Sequence, residues 1–93
     1  MDLDGLKQIN DSHGHDVGAY ALVEVAQIVR EVLEEHGEVC RFGGDEFVAC
    51  LPGFDGPQGC ALAEALRDRV ARHAFVKDGV LLRPTISIGV AAF

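Results

Sequence analysis

The amino-acid sequence predicts an α/β (α+β) sandwich in which helices flank a mainly antiparallel sheet. Two segments repeat apolar residues at three- and four-residue spacing, which is typical of amphipathic helices. Short runs around them alternate apolar and polar residues, as half-buried strands do. Glycine- and proline-containing turns separate these runs, so the predicted order is strand, helix, hairpin, helix, short strand, strand.

The first strand is predicted at residues 1–4 and ends in Asp2-Leu3-Asp4. Residues 5–18 are polar and rich in turn-forming types, with room for only a short helical turn. The first long helix is predicted from about residue 16 to 36, because its apolar positions share one face. These positions are Leu22, Val25, Ala26, Val29, Val32 and Leu33.

Residues 38–51 are predicted to form a β-hairpin with the turn Gly43-Gly44-Asp45-Glu46. The glycines permit positive φ and the close approach of a ligand to backbone N–H groups. A second helix is predicted from Pro57 to about His73, and strands at 80–83 and 85–92 follow it. The predicted buried stripe of the second helix is Leu62, Ala65, Leu66 and Val70.

Length, charge and cysteine usage exclude several functional classes. The chain has 93 residues, which predicts one domain, and its net charge of −7 disfavours wrapping of a nucleic acid. A phosphorylated ligand remains compatible, because a metal ion can supply positive charge. No apolar run approaches the ~20 residues of a membrane span. Three cysteines without a C-x-x-C pair indicate a reduced, cytoplasmic compartment.

Four carboxylates lie at predicted strand ends and turns. Asp2 and Asp4 point to the same face of a strand, and Asp45 and Glu46 occupy the hairpin turn. If the first strand lies beside the hairpin, three or four carboxylates converge and repel one another unless a cation neutralises them. Oxygen ligands of this type suit Mg²⁺. Solvated surface acids are the alternative, and Arg41 is interpreted as either an ion-pair partner of this turn or a phosphate contact.

Three segments together resemble the GGDEF family of diguanylate cyclases. They are residues 2–18 (DLDGLKQINDSHGHDVG), 41–47 (RFGGDEF) and 85–91 (TISIGVA), and the family's motif letters stand at Gly43 to Phe47. The resemblance spans nearly the whole chain but only the middle of the family's domain. We therefore expect residues 1–93 to be a single truncated GGDEF domain.

The resemblance implies an enzyme that condenses two GTP molecules into cyclic di-GMP and pyrophosphate. It implies a fold like the palm of nucleotide cyclases and polymerases, which is ferredoxin-like, and a requirement for Mg²⁺ (or Mn²⁺). It also implies a homodimer in which each domain holds one GTP, and a sensor or receiver domain in the parent protein.

The resemblance also implies the roles of individual residues. Asp2, Asp45 and Glu46 are the expected side-chain metal ligands, and Leu3 is expected to contribute its backbone carbonyl. Asp45 is the expected catalytic base, with Glu46 beside it.

By the same resemblance, Asn10 and His15 are expected to bind substrate near the guanine base and ribose. Gly43 and Gly44 are expected to let the backbone of the turn approach the phosphates.

Among the departures from the family's pattern, two concern ligand binding. Ala19 stands where the family usually has an Asp that hydrogen-bonds guanine, and such a lost contact costs roughly 1–3 kcal/mol. The R-x-x-D of the family's inhibitory site would fall on Glu34 and Gly37, which do not match, so product inhibition through that site is not expected. A catalytically inactive or degenerate module for nucleotide binding, dimerisation or regulation is therefore the alternative function.

Overall fold

The computed structural model describes residues 1–92, which contain three helices and six short strands. In chain order these are β1 (Asp2–Asp4), α1 (Leu6–His13), α2 (His15–Leu33), β2 (Glu38–Arg41), β3 (Phe47–Cys50), α3 (Gly56–Arg72), β4 (Phe75–Lys77), β5 (Val80–Leu82) and β6 (Thr85–Ser87).

The sheet is antiparallel and has β1 in its interior. β6 pairs with one side of β1, and the β2–β3 hairpin lies on the other side. An antiparallel bridge joins Asp2 to Glu46, and the Phe47 N–H donates to the Met1 carbonyl at 2.8 Å. The regular strand pairs are β1–β6, β2–β3 and β4–β5, and the single bridge between Asp2 and Glu46 brings the β2–β3 pair beside β1. The predicted fold class, an α/β structure with mainly antiparallel strands, is confirmed.

The two faces of this sheet differ in polarity. Leu3, Phe47 and Ile86 point to one face and are at most 3% exposed, so they form the floor of the core on which the helices pack. Side chains alternate along a strand, and the opposite face therefore carries exposed residues such as Asp2 and Ser87. The polar side chains of these strands lie on one face of the sheet because the other face packs into the hydrophobic core.

Most of the predicted stripe of α2 is buried. Leu22, Val25, Val29 and Leu33 belong to the core, and Ala26 and Val32 pack at its edge. The structure adds Ile28, which is 3% exposed and also lies in the core. The helix thus packs over an arc wider than the predicted stripe.

The segment predicted to be turn-rich forms the eight-residue helix α1, so that prediction was wrong. Its end is set by Gly14, whose φ of 91° lies in a region that other residues rarely adopt. Leu6 and Ile9 pack against the core, which stabilises a helix too short to persist alone. Gly14 therefore separates two successive helices.

A capping box starts α3, where Asp55 accepts from the Gln58 N–H at 2.8 Å and the Gln58 side chain accepts from the Asp55 N–H at 2.9 Å. Leu66 and Val70 are buried as predicted, but Ala65 is exposed. The final strand is also shorter than predicted.

Candidate metal and nucleotide site

The end of β1 and the hairpin turn are held together by backbone hydrogen bonds. The Leu3 N–H donates to the Asp45 carbonyl at 3.1 Å, and the Phe42 N–H donates to the Glu46 carbonyl at 2.9 Å. With the bridge between Asp2 and Glu46, these bonds set the turn beside the first aspartate of the D-x-D sequence. Residues more than forty positions apart in the sequence thereby become neighbours.

Asp2, Asp45 and Glu46 form a carboxylate cluster. Each offers an oxygen within 4.8 Å of the other two; Asp2 and Glu46 are exposed, and Asp45 is half-buried. Within the part of the chain that the structure describes, no Lys or Arg forms an ion pair with them. Oxygens that share one Mg²⁺ or Ca²⁺ lie ~2.0–2.6 Å from the ion, hence no more than about 5 Å apart. The cluster fits a hard divalent cation.

The hairpin turn is held by Arg41. Its Nε donates to the Gly43 carbonyl at 3.2 Å and its Nη2 donates to the Gly44 carbonyl at 2.7 Å. Of the two interpretations of Arg41, the ion pair with Asp45 or Glu46 is not found within residues 1–92. A Cβ placed on Gly44 would meet no atom within 4 Å, so the tip of the turn is open to an approaching ligand.

Asp4 does not join the cluster, although it shares the face of Asp2. It accepts hydrogen bonds from the Thr85 hydroxyl at 3.0 Å and from the Ser87 hydroxyl at 2.8 Å. No local sequence pattern predicts this pairing, because the hydroxyls lie on β6, more than eighty residues away.

The predicted substrate-binding side chains lie at the junction of α1 and α2. Asn10 is half-buried, and its side chain lies directly over Gly18: a Cβ on Gly18 would clash with Oδ1 and stand 2.8 Å from Cγ. His15 is the first residue of α2 and is exposed, as is Ala19 one turn later. The close approach of Asn10 explains why a glycine stands at position 18.

Leu3 lies on β1, and its side chain points into the core. The role of its backbone carbonyl as a metal ligand, and the roles of Asn10, His15, Gly43 and Gly44 toward substrate, stay predictions. Within residues 1–92, no helix combines the length and apolar character that a membrane crossing requires.

Fold and site together define a palm-like α/β domain that gathers carboxylates where a hairpin turn meets the neighbouring strand. The family model for the diguanylate cyclase GGDEF domain matches residues 1–93. The chain belongs to the GGDEF domain family.

Named relatives agree with this assignment. The chain is 36% identical over all 93 residues to diguanylate cyclase A of Treponema denticola, of which it covers 25%. Over 94 residues it is 38% identical to the response regulator PleD of Caulobacter vibrioides, with 99% of this chain and 21% of PleD covered. The chain thus spans about a quarter or less of these relatives.

Solved structures share the fold. Diguanylate cyclase SiaD of Pseudomonas aeruginosa, in complex with its activator SiaC, matches with a TM-score of 0.83 and 36% identity. That match covers 90% of this chain and 32% of SiaD. The active GGEEF domain of a Vibrio cholerae diguanylate cyclase matches with a TM-score of 0.76 and 30% identity, covering 98% of this chain and 62% of that one.

Proposed function

We propose that this chain is part of a diguanylate cyclase that condenses two GTP molecules into cyclic di-GMP and releases two pyrophosphates. The observation that carries the proposal is the convergence of Asp2, Asp45 and Glu46 beside the open glycine turn. Membership of the GGDEF family and relatives named as diguanylate cyclases support the same reaction.

The acidic cluster is the proposed cation site. Asp2, Asp45 and Glu46, with the Leu3 carbonyl, would hold Mg²⁺ or Mn²⁺. A bound divalent cation supplies Lewis-acid stabilisation of charge on phosphate oxygens. Because the chain carries a net charge of −7, a bound cation would supply the positive charge that attracts a nucleotide triphosphate.

In the proposed reaction, the 3′-hydroxyl of one GTP attacks the α-phosphorus of the other, and pyrophosphate leaves. We assign Asp45 the role of accepting the hydroxyl proton, a proposal that its position beside Glu46 in the cluster supports. The open turn at Gly43 and Gly44 lets the phosphates approach the backbone, and Arg41 keeps that turn in one conformation through its two carbonyl contacts. Positioning of this kind supplies much of the rate in phosphoryl transfer.

Asn10 and His15 are the proposed contacts to base and ribose. The side chain of Asn10 is confined by Gly18, which limits the orientations that its amide adopts. Ala19 offers no acceptor for the N–H groups of guanine, so we propose weak discrimination between GTP and ATP.

Each domain would carry one GTP, so the proposed active form is a homodimer with two sites facing each other. A sensor or receiver domain in the parent protein, and a cytoplasmic location, are parts of the same proposal. The response regulator PleD among the relatives supports this domain context.

The test is incubation of the chain with GTP and MgCl₂, followed by chromatography for cyclic di-GMP and pyrophosphate. Formation of both products, and their loss in Asp45→Ala, is the expected result. Asp68→Ala is the matched control, because Asp68 is an exposed carboxylate on α3 that contacts Arg72, away from the cluster. Turnover that survives in Asp45→Ala would contradict the assigned role of this carboxylate.

Ala19 favours a second candidate, a non-catalytic GGDEF module that binds nucleotide or pairs with a partner. Nucleotide and Mn²⁺ binding by calorimetry, without any product in the chromatographic assay, would select that candidate. The absence of both binding and turnover would overturn the nucleotide proposal altogether.

A further inference from the structure

We propose that Asp4 is a positioning residue for the carboxylate cluster. It holds β1 against β6 through two hydroxyl groups and thereby sets Asp2 and the Leu3 carbonyl in place, without binding the cation itself. This inference rests on the cation site of the proposed function.

The contact between Asp4 and β6 uses both oxygens of the carboxylate. The Thr85 hydroxyl donates to Oδ2 at 3.0 Å, and the Ser87 hydroxyl lies 2.8 Å from both Oδ1 and Oδ2. Hydrogen bonds to an ionised acceptor are roughly twice as strong as those between neutral groups. Asp4, Thr85 and Ser87 are called the β1–β6 clamp below.

The pairing of β1 with β6 shows which residues of the two strands lie opposite each other. Asp4 lies opposite Thr85, and Asp2 lies opposite Ser87. The Ser87 hydroxyl donates diagonally to Asp4 and not to the aspartate directly opposite. Asp2 therefore keeps its oxygens for the hairpin side, where it meets Asp45. The two aspartates of the D-x-D sequence thus serve opposite neighbouring strands.

Short strands make such a clamp necessary. β1 and β6 are three residues each, and a slip of one residue in their pairing would move Asp2 to the buried face. A one-residue slip would turn Asp4 to the other face and break its bond with Ser87, so this bond favours the register that places Asp2 beside Glu46 over its nearest alternatives. The clamp also keeps a fourth negative charge away from the three already gathered.

The experiment measures Mn²⁺ binding to the full chain by titration calorimetry, with Mn²⁺ alone as the probe. We expect the double variant Thr85→Val with Ser87→Ala to bind Mn²⁺ about tenfold more weakly, the size usual for groups that orient metal ligands. Asp4→Ala should lose a similar factor, and adding it to the double variant should cause no further loss, because the three residues act as one unit.

Two conservative variants separate positioning from general destabilisation. Thr85→Ser keeps the hydroxyl and should keep wild-type Mn²⁺ affinity, whereas the isosteric Thr85→Val should not. Ser12→Ala, which removes an exposed serine hydroxyl on α1, is the surface control. Urea unfolding of each variant confirms that the titrated chain is folded, and a role confined to stability would shift the unfolding midpoint without changing the Mn²⁺ affinity of the folded chain.

Each outcome bears on one proposal or both. Wild-type chain that binds no Mn²⁺ would overturn the cation site and the clamp together. Wild-type binding that is unchanged or tighter in the double variant would overturn the clamp alone. A loss in Asp4→Ala far beyond that of the double variant would identify Asp4 as a direct ligand, which also contradicts the clamp.

Discussion

The carboxylate end of the sheet and the junction of α1 with α2 are built in different ways. The first unites Asp2 with a turn more than forty residues later, through the antiparallel pairing of β1 with the hairpin. The second brings Asn10 against Gly18, only eight residues away, by packing two successive helices. One region depends on long-range strand pairing, and the other depends on local chain geometry.

The two regions also differ in how well they match the family's pattern. The carboxylates and the glycine turn are present, whereas Ala19 replaces the aspartate expected at the helix junction. The proposed cation binding and the proposed base selection therefore depend on different regions of the chain and can be tested separately. Five substitutions probe the two regions and their surroundings, and four of them have a matched control.

Phe47→Ala should have the largest effect, because it removes the side chain that anchors the hairpin in the core. Phe47 is 2% exposed, and such a truncation costs roughly 3–5 kcal/mol of unfolding free energy. Urea denaturation measures the loss. Val48→Ala is the control, since Val48 is 52% exposed on the other face and should change stability by less than about 0.5 kcal/mol. Equal losses in both variants would contradict the assignment of the two faces.

Glu46→Gln should weaken Mn²⁺ binding by about 100-fold or more, because it removes a charged ligand of the proposed site, and groups that only orient ligands already cost ~10–100-fold. Glu38→Gln removes the same charge from the same hairpin at an exposed position on β2 and should leave affinity unchanged. Titration calorimetry distinguishes the two. A general charge effect would be indicated if both variants lost the same factor.

Gly18→Ala should weaken GTP binding about tenfold, because the new methyl group displaces the Asn10 side chain. The free energy of unfolding should change little. Alanine stabilises a helix by ~1 kcal/mol relative to glycine, and this gain offsets the cost of displacing the Asn10 side chain. The Asn10 amide resonance in NMR spectra should shift. In Gly89→Ala the new methyl group meets no atom within 4 Å, so GTP affinity should be retained.

Ala19→Asp should raise the preference for GTP over ATP about tenfold, since it restores an acceptor for the guanine N–H groups. The ratio of the two dissociation constants, measured by calorimetry, reports the change. Ala71→Asp adds the same charge at an exposed alanine of α3 and should leave the ratio as it is. An unchanged ratio in Ala19→Asp would place base recognition elsewhere.

Glu64→Gln should have the smallest effect, because it lies outside both regions. The hydrogen bond and charge of Arg67 lower the pKa of Glu64 below its ordinary value of 4.5. Its stabilising effect is therefore present above the ordinary pKa and is lost as pH falls through the lowered value. The wild-type chain should thus have a slightly higher urea midpoint than Glu64→Gln at pH 7, and this difference should vanish in acid. Mn²⁺ and GTP affinities should not change.

Much of the fold was predictable because its signals are local. The apolar stripe of α2 and the hairpin around the glycine turn follow from residue spacing, and both are present. The eight-residue helix α1 was missed because its polar, glycine-flanked sequence is also typical of a loop, and contacts of Leu6 and Ile9 with the core decide its conformation.

The sequence by itself determined which chemical groups are available: carboxylates at a strand end, a glycine turn, and amphipathic helices to cover one face of a sheet. It also placed Asp2 and Asp4 on the same face. Only the tertiary structure decided that Asp2 turns to the hairpin while Asp4 turns to β6. Alternation along a strand gives both residues the same face, so their partners depend on which strands lie on either side, and pairing between distant segments sets that arrangement.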